Sequence, residues 1–404
     1  MPDFDQLLEI CRNNSMISEK VIDQFLIYYA AAQDKVDREF DKRIARYRHI
    51  IGDMPPGWKG QVKTQYIARA IFGKNGLLKK YLKHAAIGMR DAEDREFLER
   101  SSQTPWRFTF SEVVANPAKD FYEMEDVFTA ETYLLYSPSM TTILAEHQVI
   151  LWFLLIGFNG DCWQTFGPLV NFKGLDPDDI FFYSLEVNPE IGSDEDLVED
   201  IDRNPVRYMV LFAGGNYPLL MMRDHEIVQN YSEIDVKDFD YQDIKKNFKI
   251  EYADSVFRLT HEKWGQVPYY GEIYYKEGEK IIVSALTDQG YRELAKILRA
   301  QKIDVPMEAD IRVHQTMLAL IETLINRHID LSPYSKRFEK KKSASEEEML
   351  TKINRFSNLV LTYVNAGKKP DIDALAAQAD IDPVTARDLY ENLMESFRKM
   401  QKRR

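Results

Sequence analysis

The sequence from Trp106 to Phe172 opens with RFTFSEVV at residues 107–114 and later contains VILWFLLIGF at residues 149–158. Aromatic residues of the first run recur at every second position, which is typical of a half-buried strand. The second run is apolar on both faces, which indicates a central strand covered on both sides. This stretch predicts the β-rich centre around which the rest of the chain is arranged.

Five strands are predicted in this stretch, at residues 107–114, 121–127, 132–136, 149–158 and 163–172. Asn116-Pro117 is predicted to form a turn after the first strand, because the residue before a proline avoids the helical region. Asn159-Gly160 is a strong hairpin signal, since both residues tolerate positive φ. Short strands joined by such turns indicate a small antiparallel barrel or curled sheet.

Helical patterns lie on both sides of this centre. Apolar residues recur with helical period from Ser18 to Ile51, and Ser18 is the predicted N-cap. Beyond the centre we expect a strand at Val206–Ala213 and a helix at Met307–Ile329. Tyr269–Arg299 is predicted as a ββα unit whose helix is capped by Thr287 or Asp288.

The predicted fold class is α+β, with an N-terminal helical region, a central antiparallel β-rich region and a small C-terminal helical domain. The centre is expected to combine a small barrel or curled sheet with the ββα unit. Residues 332–348 are polar and charged, which predicts a linker. The predicted parts are a helical region at 1–102, the α+β domain at 103–305, a connecting helix at 306–331, the linker, and the helical domain at 349–404.

Composition limits the possible functions. The chain has 404 residues and a net charge of −12, which argues against a nucleic-acid surface along its whole length. Two cysteines and seven scattered histidines give neither a disulfide framework nor a metal-binding motif, so no cofactor and no metal are predicted. The first ten residues lack a basic apolar leader, and no window of 18 apolar residues occurs. We therefore expect a cytoplasmic protein without a membrane partner.

The charge is uneven, however, because residues 334–404 hold 15 Lys and Arg against 11 Asp and Glu. Within this part Ala374–Leu389 reads ALAAQADIDPVTARDL, which resembles the helix-turn-helix of bacterial transcription regulators with the core LAxxAGVSxxTVxRxL. The small residues allow two helices to cross closely, and Asp382 is the predicted cap of the second helix. The candidate DNA-binding residues are Arg387, Arg398, Lys399, Lys402, Arg403 and Arg404.

The acidic residues Asp382, Asp388 and Glu391 lie beside Arg387 on the second helix of this motif, where they would repel phosphates. Asp380 also stands where the motif has its turn glycine. These departures favour a helical packing or protein-contact module over DNA binding.

A weaker motif surrounds Cys162. Gly160-Asp161-Cys162-Trp163 is similar to the CGSCW around the nucleophile of papain-like proteases. Such an enzyme needs a histidine and an asparagine or aspartate, for which His314 and Asn326 are the downstream candidates. No glutamine precedes the cysteine at the usual short distance, and Cys162 follows a hairpin turn instead of beginning a helix. We expect a buried thiol that behaves as a small apolar side chain, not a nucleophile.

Three segments in the middle of the chain carry a broader resemblance: Trp106-Arg107-Phe108 with Phe110, Asp126–Tyr133 (DVFTAETY), and Gly271–Ile273 with Leu286–Leu294 (LTDQGYREL). They are similar to uncharacterised bacterial proteins that often end in a SEC-C zinc motif. This chain lacks the cysteine-rich motif, so zinc is not implied, and the family implies no activity. The sequence predicts a non-catalytic binding or scaffolding protein with a protein partner. The alternatives are a DNA-binding regulator and a hydrolase that uses Cys162.

Overall fold

A computed structural model describes residues 3–52, 54–55, 57–214, 219–222, 225–236, 239, 247–261, 270–331, 334–338, 344–365 and 368–401. The chain forms two compact units. The first comprises Met1–Pro218 with Thr316–His328, and the second comprises Leu219–Gln315 with Ile329–Arg404. The α+β class is confirmed, and the finer domain boundaries stay predictions.

The first unit begins with one long helical segment. Asp3 caps its first turn by accepting hydrogen bonds from the N–H groups of Asp5 and Gln6, so the prediction that Ser18 begins the helix is wrong. Lys35 interrupts the helical pattern with a φ of 58°. The N-terminal helices are α1 (Phe4–Ser18), a π-helical stretch (Glu19–Leu26), α2 (Ile27–Asp34), α3 (Val36–Ile44), a 3₁₀ turn (Ala45–Tyr47), α4 (Arg48–Ile51), α5 (Trp58–Phe72), α6 (Leu78–Tyr81), α7 (Ala85–Gly88) and α8 (Ala92–Gln103).

A small barrel follows these helices. Its elements are β1 (Arg107–Ala118), β2 (Phe121–Asp126), β3 (Thr132–Tyr136), α9 (Pro138–Glu146), β4 (Leu151–Phe158), β5 (Trp163–Thr165) and β6 (Val170–Phe172). The strands pair in the order β1-β2-β3-β5-β4, and a further pairing of β1 with β4 closes the ring. Leu154 and Ile156 of β4 join the barrel core, while Phe153 stacks on Phe108 with ring centroids 4.9 Å apart. The prediction that β4 is covered on both faces is therefore confirmed.

The barrel is mixed, where the sequence predicted antiparallel pairing. Leu135 and Tyr136 of β3 pair in parallel with Trp163 and Gln164 of β5. In a closed ring, purely antiparallel neighbours require an even number of strands. Because this ring has five, at least one pair has to run parallel.

The turn predicted at Asn116-Pro117 is wrong. Strand β1 continues to Ala118, and its register with β2 shifts between Val113 and Ala115 and again between Ala115 and Ala118. Such bulges accommodate a proline, because a bulged residue does not need to donate its N–H to the ladder. The chain reverses instead near Asp120, which has a φ of 67°.

The predicted returning strand at residues 163–172 is divided into β5 and β6. Both pair with β4, and the register shifts by two residues between the Ile156–Thr165 and Phe153–Val170 pairs. Residues 166–169 therefore form a bulge in one returning strand, and Gly167-Pro168 lies at its centre.

Three helices complete this part of the first unit: α10 (Pro177–Val187), α11 (Asp194–Arg203) and α12 (Pro205–Met209), which continues as a 3₁₀ turn at Val210–Gly214. The strand predicted at Val206–Ala213 is wrong. A short apolar run gives no periodicity that separates a strand from a buried helix. Here Pro205 occupies the first helical turn, where its missing N–H costs nothing.

The second unit contains an antiparallel sheet in the order β10-β11-β12-β13-β9-β14. The elements of the second unit up to residue 314 are β7 (Met221–Met222), β8 (His225–Glu226), β9 (Val228–Asp235), β10 (Phe248–Ala253), β11 (Val256–His261), β12 (Gly271–Lys276), β13 (Lys280–Ala285), α13 (Asp288–Ala300) and β14 (Ile311–His314). The predicted ββα unit is confirmed, and Thr287 caps α13 by accepting a 3.0 Å hydrogen bond from the N–H of Gly290. Leu294 and Leu298 of α13 are buried against the sheet.

The single helix predicted at Met307–Ile329 is wrong in its first half. Residues 311–314 form β14, which pairs with β9, and α14 (Gln315–Ile325) begins directly afterwards. Only the second half of the segment is therefore helical.

The C-terminal helices are α15 (Ser335–Phe338), α16 (Ala344–Asn365), α17 (Ile372–Ala379) and α18 (Pro383–Gln401). Parts of the predicted linker, residues 332–333 and 339–343, lie outside the described residues. The predicted cap is confirmed, since Asp382 accepts a 2.9 Å hydrogen bond from the N–H of Thr385. Asp380 takes the left-handed conformation that the motif usually gives to glycine, with a φ of 56°. No helix among the described residues is long and apolar enough to cross a membrane.

Candidate functional site

A cleft of about 910 Å³ lies in the first unit, where residues of the N-terminal helices and of the barrel line the same space. We call it the helix–barrel cleft and divide its main lining into two sets. The polar lining consists of Ser18, Glu19, Asp23, Gln24, Gln61 and Thr64. The aromatic lining consists of Phe97, Trp106, Phe158 and Phe166.

The polar lining is unpaired. Among the residues that the structure describes, none of its side chains forms a hydrogen bond or an ion pair. Four of these residues lie at the end of α1 and on the π-helical stretch, and Gln61 and Thr64 lie on α5. Their donors and acceptors are therefore available to a ligand.

Glu19 and Asp23 are the acidic residues of this lining. They lie on the π-helical stretch, in which the N–H of Ile27 donates to the carbonyl of Ile22, five residues earlier. Loss of hydration raises the pKa of Asp23 above its usual value, and the neighbouring Glu19 carboxylate raises it further. Removing this repulsion requires a cation or a proton. Short π-helical segments are frequent at functional sites.

A buried carboxylate fixes the π-helical stretch to α8. The side chain of Asp94 is 1% exposed; its Oδ1 lies 3.1 Å from Nζ of Lys20, and its Oδ2 lies 2.9 Å from Nη2 of Arg90. Lys20 also contacts the exposed Asp91 at 2.5 Å. The Lys20 ammonium is thus engaged away from Glu19 and Asp23, which leaves their charge uncompensated.

The bulge at residues 166–169 is held by Gln65 of α5. This side chain is 2% exposed, and its Nε2 donates to the carbonyls of Phe166 at 2.9 Å and Pro168 at 3.0 Å. Gly167 has a φ of 76°, and a Cβ there would lie 3.0 Å from Cβ of Gln65. Glycine is required at this position because the backbone is left-handed and packs closely on Gln65. The bulge places Phe166 in the aromatic lining.

Trp106 lies between the helices and the barrel. Its ring stacks on Phe72 with centroids 4.5 Å apart and lies 5.4 Å from the ring of Phe166. A Cβ at Gly157 would lie 2.4 Å from Cε2 of Trp106, so only glycine admits the indole here. Trp106 is 5% exposed, and its Nε1 has no hydrogen-bond partner among the described residues. An unpaired buried donor is costly, because it has given up its hydrogen bond to water without gaining another.

A hydrogen-bonded amide network lies at one end of the cleft. Asn14 Nδ2 donates to Gln164 Oε1 at 2.7 Å, and Asn159 Nδ2 donates to the same oxygen at 2.9 Å. Gln164 Nε2 donates to the carbonyl of Cys11 at 3.0 Å, and Arg100 Nη2 donates to Asn14 Oδ1 at 3.0 Å. These amides are positioned by the protein itself, in contrast to the unpaired polar lining.

Cys162 lies beside this network and has the surroundings of a structural thiol. It is 1% exposed, its Sγ lies 3.4 Å from Sγ of Cys11, and Asn159 Nδ2 donates to both sulfur atoms. The hydrogen bond with Cys11 and burial raise the pKa of the Cys162 thiol. Both described partners of this sulfur are non-basic, so a thiolate is not favoured. A noncatalytic role for Cys162 stays a prediction.

The candidate DNA-binding residues of the C-terminal helices are only partly described. Arg387 donates from Nη2 to both carboxylate oxygens of Asp373, at 2.8 and 3.0 Å. Arg398 and Lys399 lie on α18, but their side chains are outside the described part of the chain. Lys402, Arg403 and Arg404 lie outside the described residues altogether.

A charged cluster in the second unit is a weaker candidate. Arg312 contacts Asp288 at 3.0 Å, and His314 Nε2 lies 3.4 Å from Oε2 of Glu226. The hydrogen bond with His314 lowers the pKa of Glu226. These contacts join β8, β14 and the start of α13, and they pair opposite charges with one another. The contacts of this cluster hold the three elements together, and this accounts for its charged residues without a ligand.

Sequence reasoning did not find the helix–barrel cleft. Its lining comes from separate segments of the chain, and each segment is ordinary by itself. One signal was available: Gly167-Pro168 interrupts a predicted strand, and glycine or proline inside a strand marks a bulge or a close approach of another group.

Comparisons with known proteins provide no relative. No protein-family model, no curated protein and no solved structure matches this chain. The resemblances to SEC-C-associated proteins and to the helix-turn-helix therefore stay predictions.

Proposed function

We propose that this protein is a non-catalytic binding protein and that the helix–barrel cleft holds its ligand. The observation that carries the proposal is the unpaired polar lining next to an aromatic lining in a space of about 910 Å³. Sites for small molecules have volumes of roughly 300–1,000 Å³ and combine aromatic walls with a few polar groups that fix orientation. A protein partner, which the sequence favours, would present a side chain to the same cleft.

The lining supports binding more than chemistry. Among the described residues that line the cleft there is no histidine, cysteine or lysine, and none of the lining hydroxyl groups forms a hydrogen bond with a carboxylate or an imidazole. Glu19 and Asp23 are four residues apart on one helical stretch and would meet a ligand from the same side. Glycoside hydrolysis by two carboxylates instead requires them to flank the reacting bond.

A DNA-binding regulator is the second candidate. The local geometry of α17 and α18 supports it, because Asp382 caps the second helix as in a helix-turn-helix. The contact of Arg387 with Asp373 weighs against it, since this guanidinium donates to a carboxylate of the same two helices. We therefore favour the cleft.

The test blocks the cleft without disturbing its walls. Gly60 lines the cleft on α5, and a Cβ there would meet no atom within 4 Å. Gly60→Phe should fill the space, and it should fold, because glycine is a poor residue inside a helix. Gly88→Phe is the matched control, since Gly88 also has open space around its Cβ position and does not line the cleft.

Ligand-observed NMR with a library of small polar and aromatic compounds gives the readout. We expect hits that bind the wild type and the Gly88→Phe variant but not the Gly60→Phe variant. The proposal is wrong if no compound binds, or if all hits survive Gly60→Phe.

A further inference from the structure

We infer that the ligand of the helix–barrel cleft is an organic cation, an ammonium group carried on an apolar or aromatic body. This inference rests on the proposed function, because it names the class of compound that the same site would take. Two independent features support it: the charge of the polar lining and the composition of the aromatic lining.

The charge of the cleft is negative. Its lining contains the carboxylates of Glu19 and Asp23 and, among the described residues, no lysine, arginine or histidine. Neither acid has an ion-pair partner in the part of the chain that is described, and the nearby Lys20 is held by Asp91 and Asp94. Arg100, which hydrogen-bonds to Asn14 of the lining, is directed to that amide oxygen. An anion would meet repulsion in this cleft, and a cation would relieve it.

The aromatic lining complements a cation with an apolar body. Ring faces attract ammonium groups through their quadrupole, and tryptophan does so most strongly. The ring centroids of Trp106 and Phe166 lie 5.4 Å apart. The Trp106 ring packs closely on Gly157, and Phe166 belongs to the bulge that Gln65 binds. The same rings also bury the hydrocarbon part of a ligand.

The indole N–H of Trp106 is a further feature of the aromatic lining. The side chain is more than nine-tenths buried and lines the cleft, yet its indole N–H has no acceptor among the described residues. A buried donor normally finds a partner, and those that do not are associated with function.

Three probes that share a 2-phenylethyl body separate the charge of the ligand from its shape: 2-phenylethylamine, 2-phenylethanol and 3-phenylpropionate. Isothermal titration calorimetry on the full chain at neutral pH compares them. We expect the amine to bind with a Kd of about 1 mM or below. The alcohol should bind at least about tenfold more weakly, and the carboxylate should not bind.

Substitutions then test the residues. Glu19→Gln and Asp23→Asn should each weaken amine binding by about tenfold, because each removes one charge at nearly constant shape. Glu9→Gln is the matched control: Glu9 is an exposed acid of α1 outside the lining, and its substitution should leave the affinity unchanged. Circular dichroism verifies that each variant is folded.

An ammonium group can come from a free amine or from a lysine of a partner protein. Nα-acetyllysine amide, titrated in parallel, distinguishes the two sources. Tighter binding of the lysine derivative than of 2-phenylethylamine points to a protein side chain, and the reverse order points to a free amine. Either result supports a cationic ligand.

The outcomes also separate this inference from the proposed function. Equal binding of the alcohol and the amine, or amine binding that is unaffected by both acid substitutions, overturns the cationic ligand. If the binding of these probes is still lost in Gly60→Phe, the cleft remains a binding site, but for ligands of a different chemical class. The cationic ligand is also overturned if none of the probes binds, or if the amine still binds the Gly60→Phe variant. Whether the cleft binds any ligand is tested separately, by the wider compound library.

Discussion

Asp94 is the residue on which the shape of the polar lining depends most. Its buried carboxylate contacts Lys20 on the π-helical stretch and Arg90 next to α8. A buried carboxylate in such a position requires both cations, since an unpaired charge away from water is strongly destabilising. The cleft thus depends on an ion-pair cluster that does not itself line it.

We predict that Asp94→Asn lowers the free energy of unfolding by about 2 kcal/mol, because hydrogen bonds to charged groups contribute about that much. Urea unfolding followed by circular dichroism measures it. The control is Asp91→Asn, which removes an exposed contact to the same lysine and should lower the free energy of unfolding much less than Asp94→Asn. Equal effects of the two substitutions would contradict the role given to Asp94.

At the scale of elements, the decisive feature is the bulge between β5 and β6. The bulge shifts the register of the returning strand by two residues, and Gln65 of α5 accounts for its position by donating to two of its carbonyls. The helix and the strand are therefore joined by one side chain, and the aromatic lining depends on that contact.

Gln65→Leu should lower the free energy of unfolding by about 2 kcal/mol, because two partly buried carbonyl groups lose their donor. It should also weaken any ligand of the cleft, since Phe166 and Pro168 are no longer fixed. Chemical denaturation and calorimetry measure the two effects. An unchanged unfolding midpoint together with unchanged binding would show that the bulge is held by other contacts.

Helix α18 carries the prediction about DNA. Because Arg387 is paired with Asp373, we expect the full chain to give no mobility shift with duplex DNA even at low salt. The alternative result is a salt-sensitive shift in the wild type that is abolished by neutralising the basic tail. The residues to neutralise are Arg398, Lys399, Lys402, Arg403 and Arg404. That result would reverse the preference for the cleft as the main binding site.

The sequence predicted elements that have a clear period or a clear cap. The strands at 121–127 and 132–136 and the ββα unit are observed close to the predicted bounds, because alternation and Thr287 mark them directly. The helix at Pro205–Met209 was predicted as a strand, since a short apolar run has no period. The cleft was not predicted at all, because Glu19, Trp106 and Gly167 come together only through tertiary packing.

At the scale of the whole molecule, the chain returns from the second unit to the first through Thr316–His328 and then enters the C-terminal helices. We predict that limited trypsin digestion cuts first near Lys342, because residues 339–343 contain three consecutive lysines in a charged sequence between α15 and α16. Gel electrophoresis with N-terminal sequencing identifies the fragment. A first cut within residues 106–300 would show that the predicted linker is wrong, and replacement of the three lysines by glutamine is the control.

The closed ring of β1, β2, β3, β5 and β4 has a consequence for self-association. Strand exchange and fibril growth begin at unpaired strand edges, and closure removes most of them from the barrel. In the sheet of the second unit, β10 and β14 are the outer strands. Strand β10 carries Lys249 and Glu251, charges of the kind that discourage addition of a further strand. Aggregation of this protein by strand addition should therefore begin at that sheet, and more readily once those two charges are removed.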